Sequence, residues 1–156
     1  MSFPLEQTPY LPVFVYGTLR PGQENYALLR GFTVAEEPAQ VANLDLFALA
    51  HYPMALSGSG IVFGDLLFLA PAVYPSLLRR LDALEGWVPG QADSLYRRVR
   101  CRATTHARWR QAAWMYLGNR DYLGAEPTLI DHGDWVRYRS QEASRHRLSS
   151  QRLDAL

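Results

Sequence analysis

Short runs of apolar residues divide the chain into segments with strand character. These runs lie at 13–16, 41–49, 61–69, 96–103 and 111–117, and glycine, proline or polar residues bound most of them, as is usual for strands. In the run 61–69 both alternating sets of positions are apolar, which is typical of a strand buried on both faces. The pattern predicts five or six short strands, with 61–69 at the centre of a sheet.

Two further segments have helical periodicity. The stronger pattern covers 75–86, with Pro75 suited to the first turn and Gly86 to the end of a helix. Its apolar stripe consists of Leu77, Leu78, Leu81 and Leu84. A shorter helix is predicted at 24–30, where Gly31 would end it.

The remaining segments set the expected domain boundaries. Residues 1–12 contain three prolines and no periodic pattern, so they are interpreted as an N-terminal arm. One domain is expected at 13–139, followed by a polar tail at 140–156 that would form a frayed or surface helix. Between the runs 41–49 and 61–69, the sequence Tyr52-Pro53 and the flexible residues 57–60 predict a hairpin or a wide loop.

The amino-acid composition and net charge of the chain exclude several classes of function. The 156 residues carry a net charge of +1, which supplies no overall field to attract nucleic acid or an anionic membrane. A single cysteine, Cys101, and an N-terminus without signal-peptide features favour the cytoplasm. The apolar stretch 61–74 is too short to cross a bilayer. All 16 basic residues are arginine, which excludes Schiff-base lysine chemistry and a lysine-bearing phosphate loop.

The first candidate site is the turn at 16–19, Tyr-Gly-Thr-Leu, which follows the first strand and precedes Arg20, Pro21 and Gly22. Gly17 lets a ligand approach the main chain because it lacks a β-carbon. Successive N–H groups in such a turn can form an anion-binding concavity, and a carboxylate is a suitable ligand for it. An ordinary tight turn is the alternative interpretation.

The second candidate is Glu85, in the sequence Leu-Asp-Ala-Leu-Glu-Gly at 81–86. Glu85 lies four residues after Leu81 and so shares the apolar face of the predicted helix, whereas Asp82 projects elsewhere. Partial burial and the negative end of the helix dipole both disfavour ionisation, so the pKa of Glu85 should rise toward the range of a general base. The alternative is a structural ion pair with Arg79, Arg97 or another arginine.

Other residues give weaker signals. Tyr96 and Tyr116 lie on strands, where core packing is the ordinary role, although the hydroxyl of Tyr96 could meet a ligand. The four histidines lack metal-ligand spacing, and Cys101 has no histidine nearby in sequence to activate it. The arginines at 97–110 could contact nucleic acid, but alternating charges along a strand are more typical of a solvated face. We therefore expect no metal and no nucleic-acid partner.

Taken in order, several of these motifs resemble the gamma-glutamylcyclotransferase-like superfamily. The matching residues are 16–20, Tyr52-Pro53, Gly64 with Leu66, 81–86, Tyr96-Arg97 and 133–135. The resemblance spans 13–138, and it is greatest to gamma-glutamylamine cyclotransferase and to compact bacterial members. It implies an α+β fold, a small mixed β-barrel flanked by short helices, with no cofactor and as a monomer or homodimer.

The resemblance also implies roles for individual residues. The main chain of the 16–19 turn would hold the α-amino-acid end of a gamma-glutamyl group, and Glu85 would be the general acid/base. Arg20, Pro53, Tyr96 and Tyr116 would contribute to the substrate site. The implied reaction is release of 5-oxoproline and a free amine from a gamma-glutamyl amine or amide. The alternative is a non-catalytic domain that binds an amino-acid-like metabolite in the same pocket.

Overall fold

A computed structural model describes residues 10–154 of the chain. Its strands are β1 (Val13–Val15), β2 (Thr33–Ala48), β3 (Pro53–Leu69), β4 (Tyr96–Thr105), β5 (Arg110–Gly118) and β6 (Thr128–Ile130). Its helices are α1 (Tyr74–Leu84) and α2 (Trp135–Asp154), with short 3₁₀ turns at Glu24–Leu28, Pro71–Val73 and Arg120–Tyr122. The helix predicted at 24–30 is therefore a 3₁₀ turn.

Five of the strands close into a barrel. Hydrogen bonding runs in the order β3, β1, β5, β4, β2, and the circle closes because β2 pairs with β3. The β1–β5 pair is parallel and the other pairs are antiparallel. Strand β6 pairs with the end of β2, outside the circle. The predicted α+β class and mixed barrel are confirmed.

The second and third strands form the hairpin that was one of the two predicted alternatives, with its turn between Ala48 and Pro53, and the wide loop is wrong. Residues 57–60 belong to β3, which pairs with β2 along almost its whole length. A β-carbon on Gly58 would meet the side chain of Asp45, and one on Gly60 would lie 2.9 Å from the carbonyl oxygen of Leu44. The glycines therefore permit a close approach to a β-bulge in β2, where Asn43 has a φ of 63°.

The core fills the barrel and extends beneath α1. Leu77 and Leu81 of the predicted helical stripe are buried, but Leu84 is 41% exposed at the end of the helix. Trp135, at the start of α2, is buried in the barrel cluster. The framework that carries the site is thus two helices packed on one closed sheet.

The start of the described segment is tied to the barrel. The carbonyl of Pro12 accepts a hydrogen bond from the amide of Trp114, and the preceding Leu11 is buried. The rest of the predicted arm, 1–9, lies outside the described residues. Helix α2 begins at Trp135 and continues through the predicted tail to Asp154, so the division at 139/140 stays a prediction. No helix within 10–154 is long and apolar enough to span a membrane.

Candidate active site

A cavity of about 410 Å³ opens between the 16–19 turn, the start of β3 and the end of α1. Most of the residues proposed from the sequence lie together in its wall: Tyr16, Gly17, Thr18, Leu19, Pro53, Glu85, Tyr96 and Tyr116. The other lining residues are Phe14, Val15, Glu24, Asn25, His51, Tyr52, Leu84 and Leu95. Residues far apart in sequence, such as Tyr16 and Tyr116, which are 100 positions apart, therefore form one pocket.

Glu85 is positioned by the end of helix α1. Its amide donates to the carbonyl of Leu81 at 2.9 Å, which closes the last turn of the helix. Gly86 follows with a φ of 69°, the left-handed conformation that commonly ends helices and that glycine adopts without strain. The helix end thus directs the Glu85 side chain into the cavity wall.

The environment of Glu85 is poorly hydrated and lacks a counter-charge. Desolvation raises the pKa of its carboxyl from 4.5 to about 7. The alternative structural ion pair is not present: within 10–154 no arginine forms a salt bridge with Glu85. A carboxyl that titrates near neutral pH can both accept and return a proton.

The side chains of two tyrosines hold the pocket together. The Tyr16 hydroxyl donates to the carbonyl of Tyr116 at 2.7 Å and accepts from the amide of Ala55 at 3.2 Å. The Tyr96 hydroxyl donates to the carbonyl of Pro53 at 2.6 Å. Burial raises the pKa of both phenols above the ordinary value. Both hydroxyls therefore act as neutral donors that connect strands.

The main chain of the 16–19 turn has unpaired N–H groups beside the cavity. The N–H groups of Gly17, Thr18 and Leu19 have no hydrogen-bond acceptor within the described chain. The carbonyls of Gly17 and Thr18 accept from the amides of Arg20 and Asn25 at 3.1 and 2.8 Å, so the turn itself is fixed. Three consecutive unpaired donors beside a cavity form a potential anion-binding nest.

Gly17 is required for packing as well as for access to the main chain. A β-carbon at this position would lie 2.8 Å from two carbon atoms of the Pro53 ring. The sequence by itself predicts only that this glycine lets a ligand approach the main chain. The structure shows that the start of β3 also occupies the space above it.

Arg20 does not line the cavity. Its guanidinium pairs with Asp65 at 2.8 Å and with Asp134 at 3.0 Å. Asp134 in turn accepts from the amides of Val136 and Arg137 at the start of α2, as an N-cap residue does. The arginine that was expected to contact substrate instead links the 16–19 turn to β3 and α2.

A buried polar network supports Tyr116. Its hydroxyl donates to Asp82 at 2.6 Å, and Asp82 also accepts from the Nε of Arg98 at 2.9 Å. The guanidinium of Arg98 lies over the rings of Trp87 and Trp114 at 5.1 and 4.6 Å. Arg98 therefore does not belong to the solvated face expected for this strand, because its side chain turns toward α1.

Glu24 and Asn25 were missed by the sequence analysis. The side-chain amide of Asn25 donates to the hydroxyl of Thr18 at 2.8 Å, which fixes the turn from the side. Glu24 and Asn25 begin the 3₁₀ turn Glu24–Leu28 directly after the 16–22 segment. In the sequence, only their position directly after a turn that could bind an anion indicates that these two residues belong to the site.

Other reactive groups are not assembled into a site. Cys101 lies outside this cavity, and burial raises the pKa of its thiol to about 12, so it is not an activated nucleophile. Within 10–154 there is no group of three or more histidine, cysteine, aspartate or glutamate residues that could hold a metal ion.

The described residues form a small barrel whose pocket combines unpaired main-chain donors with one carboxyl whose pKa is about 7. The family model for "Gamma-glutamyl cyclotransferase, AIG2-like" matches residues 13–137. The chain therefore belongs to this family, and the resemblance found in the sequence is confirmed.

Similarity to individual proteins supports the family assignment. The chain is 32% identical over 148 residues to the gamma-L-glutamyl-butirosin B gamma-glutamyl cyclotransferase of Niallia circulans, with 90% of this chain and 86% of that protein aligned. It is 32% identical to the gamma-glutamylcyclotransferase family protein YtfP of Escherichia coli K12, over 80% of this chain and 95% of the relative. A crystal structure of a mouse AIG2-like protein has the same fold, with a TM-score of 0.59 at 20% identity, covering 80% and 87% of the two chains.

Proposed function

We propose that this protein is a gamma-glutamyl cyclotransferase-type enzyme that releases 5-oxoproline and a free amine from a gamma-glutamyl amine or amide. The observation that carries the proposal is Glu85, a carboxyl in the cavity wall with no ion-pair partner in 10–154 and a pKa of about 7. A purely structural glutamate would more often be paired or solvated. Family membership and the names of the relatives support cyclotransferase activity in general.

The unpaired donors of the 16–19 turn suit the α-carboxylate of the glutamyl group. The amides of Gly17, Thr18 and Leu19 would donate to its oxygens, since no group within 10–154 competes for them. Main-chain donors fixed by the fold cost little reorganisation when an anion binds. This contact would hold the glutamyl chain by one end and leave its γ-carbonyl free to fold back.

Glu85 would then move protons one at a time. In its ionised form it accepts a proton from the α-ammonium group, and the resulting amine attacks the γ-carbonyl carbon. A new C–N bond closes the five-membered ring, and the original γ-amide C–N bond breaks. The carboxylic acid of Glu85 returns this proton to the leaving nitrogen, and the regenerated carboxylate then takes the second proton of the ring nitrogen, which leaves a neutral lactam N–H. That second proton passes to the departing amine, which leaves as an ammonium ion, so that Glu85 is regenerated and all atoms and charges balance.

A lone carboxyl is sufficient because the nucleophile and the electrophile belong to the same molecule. Reactions between well-oriented groups of one molecule need no second substrate to be captured, and orientation removes a large part of the barrier. A positioned general acid/base adds about 10²–10⁴-fold. The pocket needs only to fold the substrate, bind one carboxylate and transfer protons through one carboxyl.

The test measures 5-oxoproline release from a panel of gamma-glutamyl amines and amides. The wild-type protein should form product, and Glu85→Gln should lower kcat by at least about 100-fold while KM changes little, because the amide cannot take up the proton. Glu126→Gln is the matched control, since Glu126 is exposed and does not line the cavity. This control should retain wild-type turnover.

Two outcomes would contradict the proposal. Product formation by Glu85→Gln at the wild-type rate would remove Glu85 from the chemistry. Protection of the fold by the panel compounds without any 5-oxoproline would indicate a non-catalytic domain that binds an amino-acid-like metabolite.

A further inference from the structure

A second cavity, of about 460 Å³, opens in the barrel wall where strands β2 and β4 separate. The two strands are paired at two positions and their pairing ends at Gln40–Thr104. The same antiparallel register, if continued, would place residues 42–44 of β2 opposite residues 100–102 of β4. These segments line the cavity instead. None of the described residues lines both this cavity and the candidate active site.

The separation of the two strands follows from the course of β2. The β-bulge between Ala42 and Leu44, where Asn43 has its φ of 63°, interrupts the regular ladder. A bulge bends its strand and increases the local twist. Beyond the bulge, Leu46 pairs with Ile130 of β6. Strand β2 therefore exchanges β4 for β6 as its neighbour, and the gap between β2 and β4 is part of the fold.

The inner wall of this cavity is apolar. Its side chains belong to the barrel core or pack against it: Val41, Leu44, Val99, Met115 and Leu117. Cavities of about 300–1,000 Å³ with mostly apolar walls and a few polar groups are typical of small-molecule sites. The wall can therefore receive the apolar part of a ligand.

The rim of the cavity is cationic. Arg100, Arg102 and Arg110 line it, whereas no acidic residue of the described chain does. Arg102 and Arg110 are exposed, and neither forms a salt bridge within 10–154. Arg110 pairs with Thr104, which lies two residues after Arg102 on β4. Side chains two residues apart on a strand share a face, so both arginines lie on the same side of the β4–β5 pair.

The neighbouring acidic residue, Asp45, is directed away from this rim. Its carboxylate accepts from the amide of Gly60 in β3 at 3.1 Å and occupies the space beside Gly58. The other polar residues of the rim, Asn43, Ser57 and Thr104, are uncharged. No negative charge among the described lining residues therefore competes with an anion. Arginine is well suited to such a ligand, because its planar guanidinium can bind carboxylate and phosphate oxygens in pairs.

We infer that this second cavity binds an amphipathic anion. The apolar part of the ligand lies against the inner wall, and its carboxylate, sulfate or phosphate group pairs with Arg102 and Arg110. A small inorganic anion would leave the apolar wall unused, and a purely apolar molecule would leave the arginines without an anion. The inference does not rest on the proposed function, because it concerns a different cavity.

Octanoate is the probe for this site, and amide NMR spectra of the isotope-labelled protein locate it. Titration with octanoate should shift the signals of residues 42–44 and 100–102 and leave those of 17–19 unchanged. Hexanoate should bind about tenfold more weakly, because two fewer methylene groups leave water. 1-Octanol should also bind more weakly than octanoate, because it carries no charge for the arginines.

Variants of the rim test the role of its charges. Replacing both Arg102→Gln and Arg110→Gln should weaken octanoate binding about two- to tenfold, the range expected for two exposed charge pairs. The same change should leave the affinity for 1-octanol unaltered. Arg79→Gln is the matched control, since Arg79 is exposed on α1 and does not line the cavity. This control should bind both compounds as the wild-type protein does.

Four outcomes would overturn the inference. Octanoate might shift no signal, or shift only those of 17–19, which would place it in the candidate active site. Equal affinities for octanoate and 1-octanol would show that the arginines do not select an anion. Binding to phosphatidylglycerol vesicles without binding of octanoate would indicate a surface for lipid headgroups instead of a cavity for one amphipathic molecule.

Discussion

Glu85 combines two properties that a single carboxyl rarely has in the interior of a protein. It lines an open cavity, yet desolvation raises its pKa to about 7 without a neighbouring negative group as the cause. A group with a pKa near the ambient pH is present in both protonation states, which suits one that must first take and then return a proton. At the residue scale, the location of Glu85 at the end of α1 therefore determines its chemistry.

The pH dependence of turnover follows from this pKa. Because the ionised form of Glu85 accepts the proton, kcat/KM should rise about tenfold per pH unit below 7 and level off above it, with a midpoint at about 7. Initial rates of 5-oxoproline release between pH 5.5 and 8.5 measure the profile. A flat profile across this interval would exclude Glu85 as the base.

At the element scale, three segments meet at one polar network beside the site. Asp82 on α1 accepts from Arg98 on β4 and from Tyr116 on β5. The side chains of Arg98 and Asp82 are only 17% and 16% exposed, whereas those of the helical pair Arg145–Glu142 are 75% and 39% exposed. Water screens the second pair far more than the first.

Replacing one member of each pair should reveal this difference. Asp82→Asn leaves Arg98 as a largely buried cation without its carboxylate and should lower the free energy of unfolding by about 2 kcal/mol. Glu142→Gln, the control in α2, should lower it by less than about 0.5 kcal/mol. Urea denaturation measures both values, and equal losses would show that the buried network contributes no more than an exposed pair.

At the scale of the whole molecule, closing the barrel and packing α1 against it stabilises the fold but desolvates Glu85. An unfolded glutamate titrates near 4.5 and the folded one near 7. Between these values the folded state holds the proton more tightly, so the contribution of Glu85 to stability falls as the pH rises and is fully lost above 7. The shift of the pKa from 4.5 to about 7 corresponds to a loss of about 3 kcal/mol in the free energy of unfolding.

This linkage predicts that the Glu85 carboxyl lowers the free energy of unfolding at neutral pH. Glu85→Gln should match the wild-type free energy of unfolding near pH 4.5 and exceed it by up to about 3 kcal/mol at pH 8. Urea denaturation at several pH values provides the measurement. A difference between the two proteins that does not change with pH would contradict a raised pKa for Glu85.

Local patterns predicted the elements that depend on neighbouring residues. The strand runs, the helix near 75–86 and the position of Glu85 at its end follow from periodicity and from Gly86, because these features are set within a few residues. The prediction failed at 57–60, where glycines that usually indicate a loop lie in β3. Their role depends on Asp45 and Leu44 in the paired strand, and a local pattern contains no information about a strand partner.

Arg20 and Glu24 show, at the site, the same difference between what neighbouring residues determine and what tertiary packing decides. The sequence by itself determined which groups are present: a turn that contains glycine, a carboxyl on the apolar face of a predicted helix, and no lysine in the chain. Only the tertiary structure decided which of them face the cavity, because Asp65 and Asp134 hold Arg20 away from it while the turn after it brings Glu24 to its wall. Charges act through distance and hydration, and both are set by the packing of segments far apart in sequence.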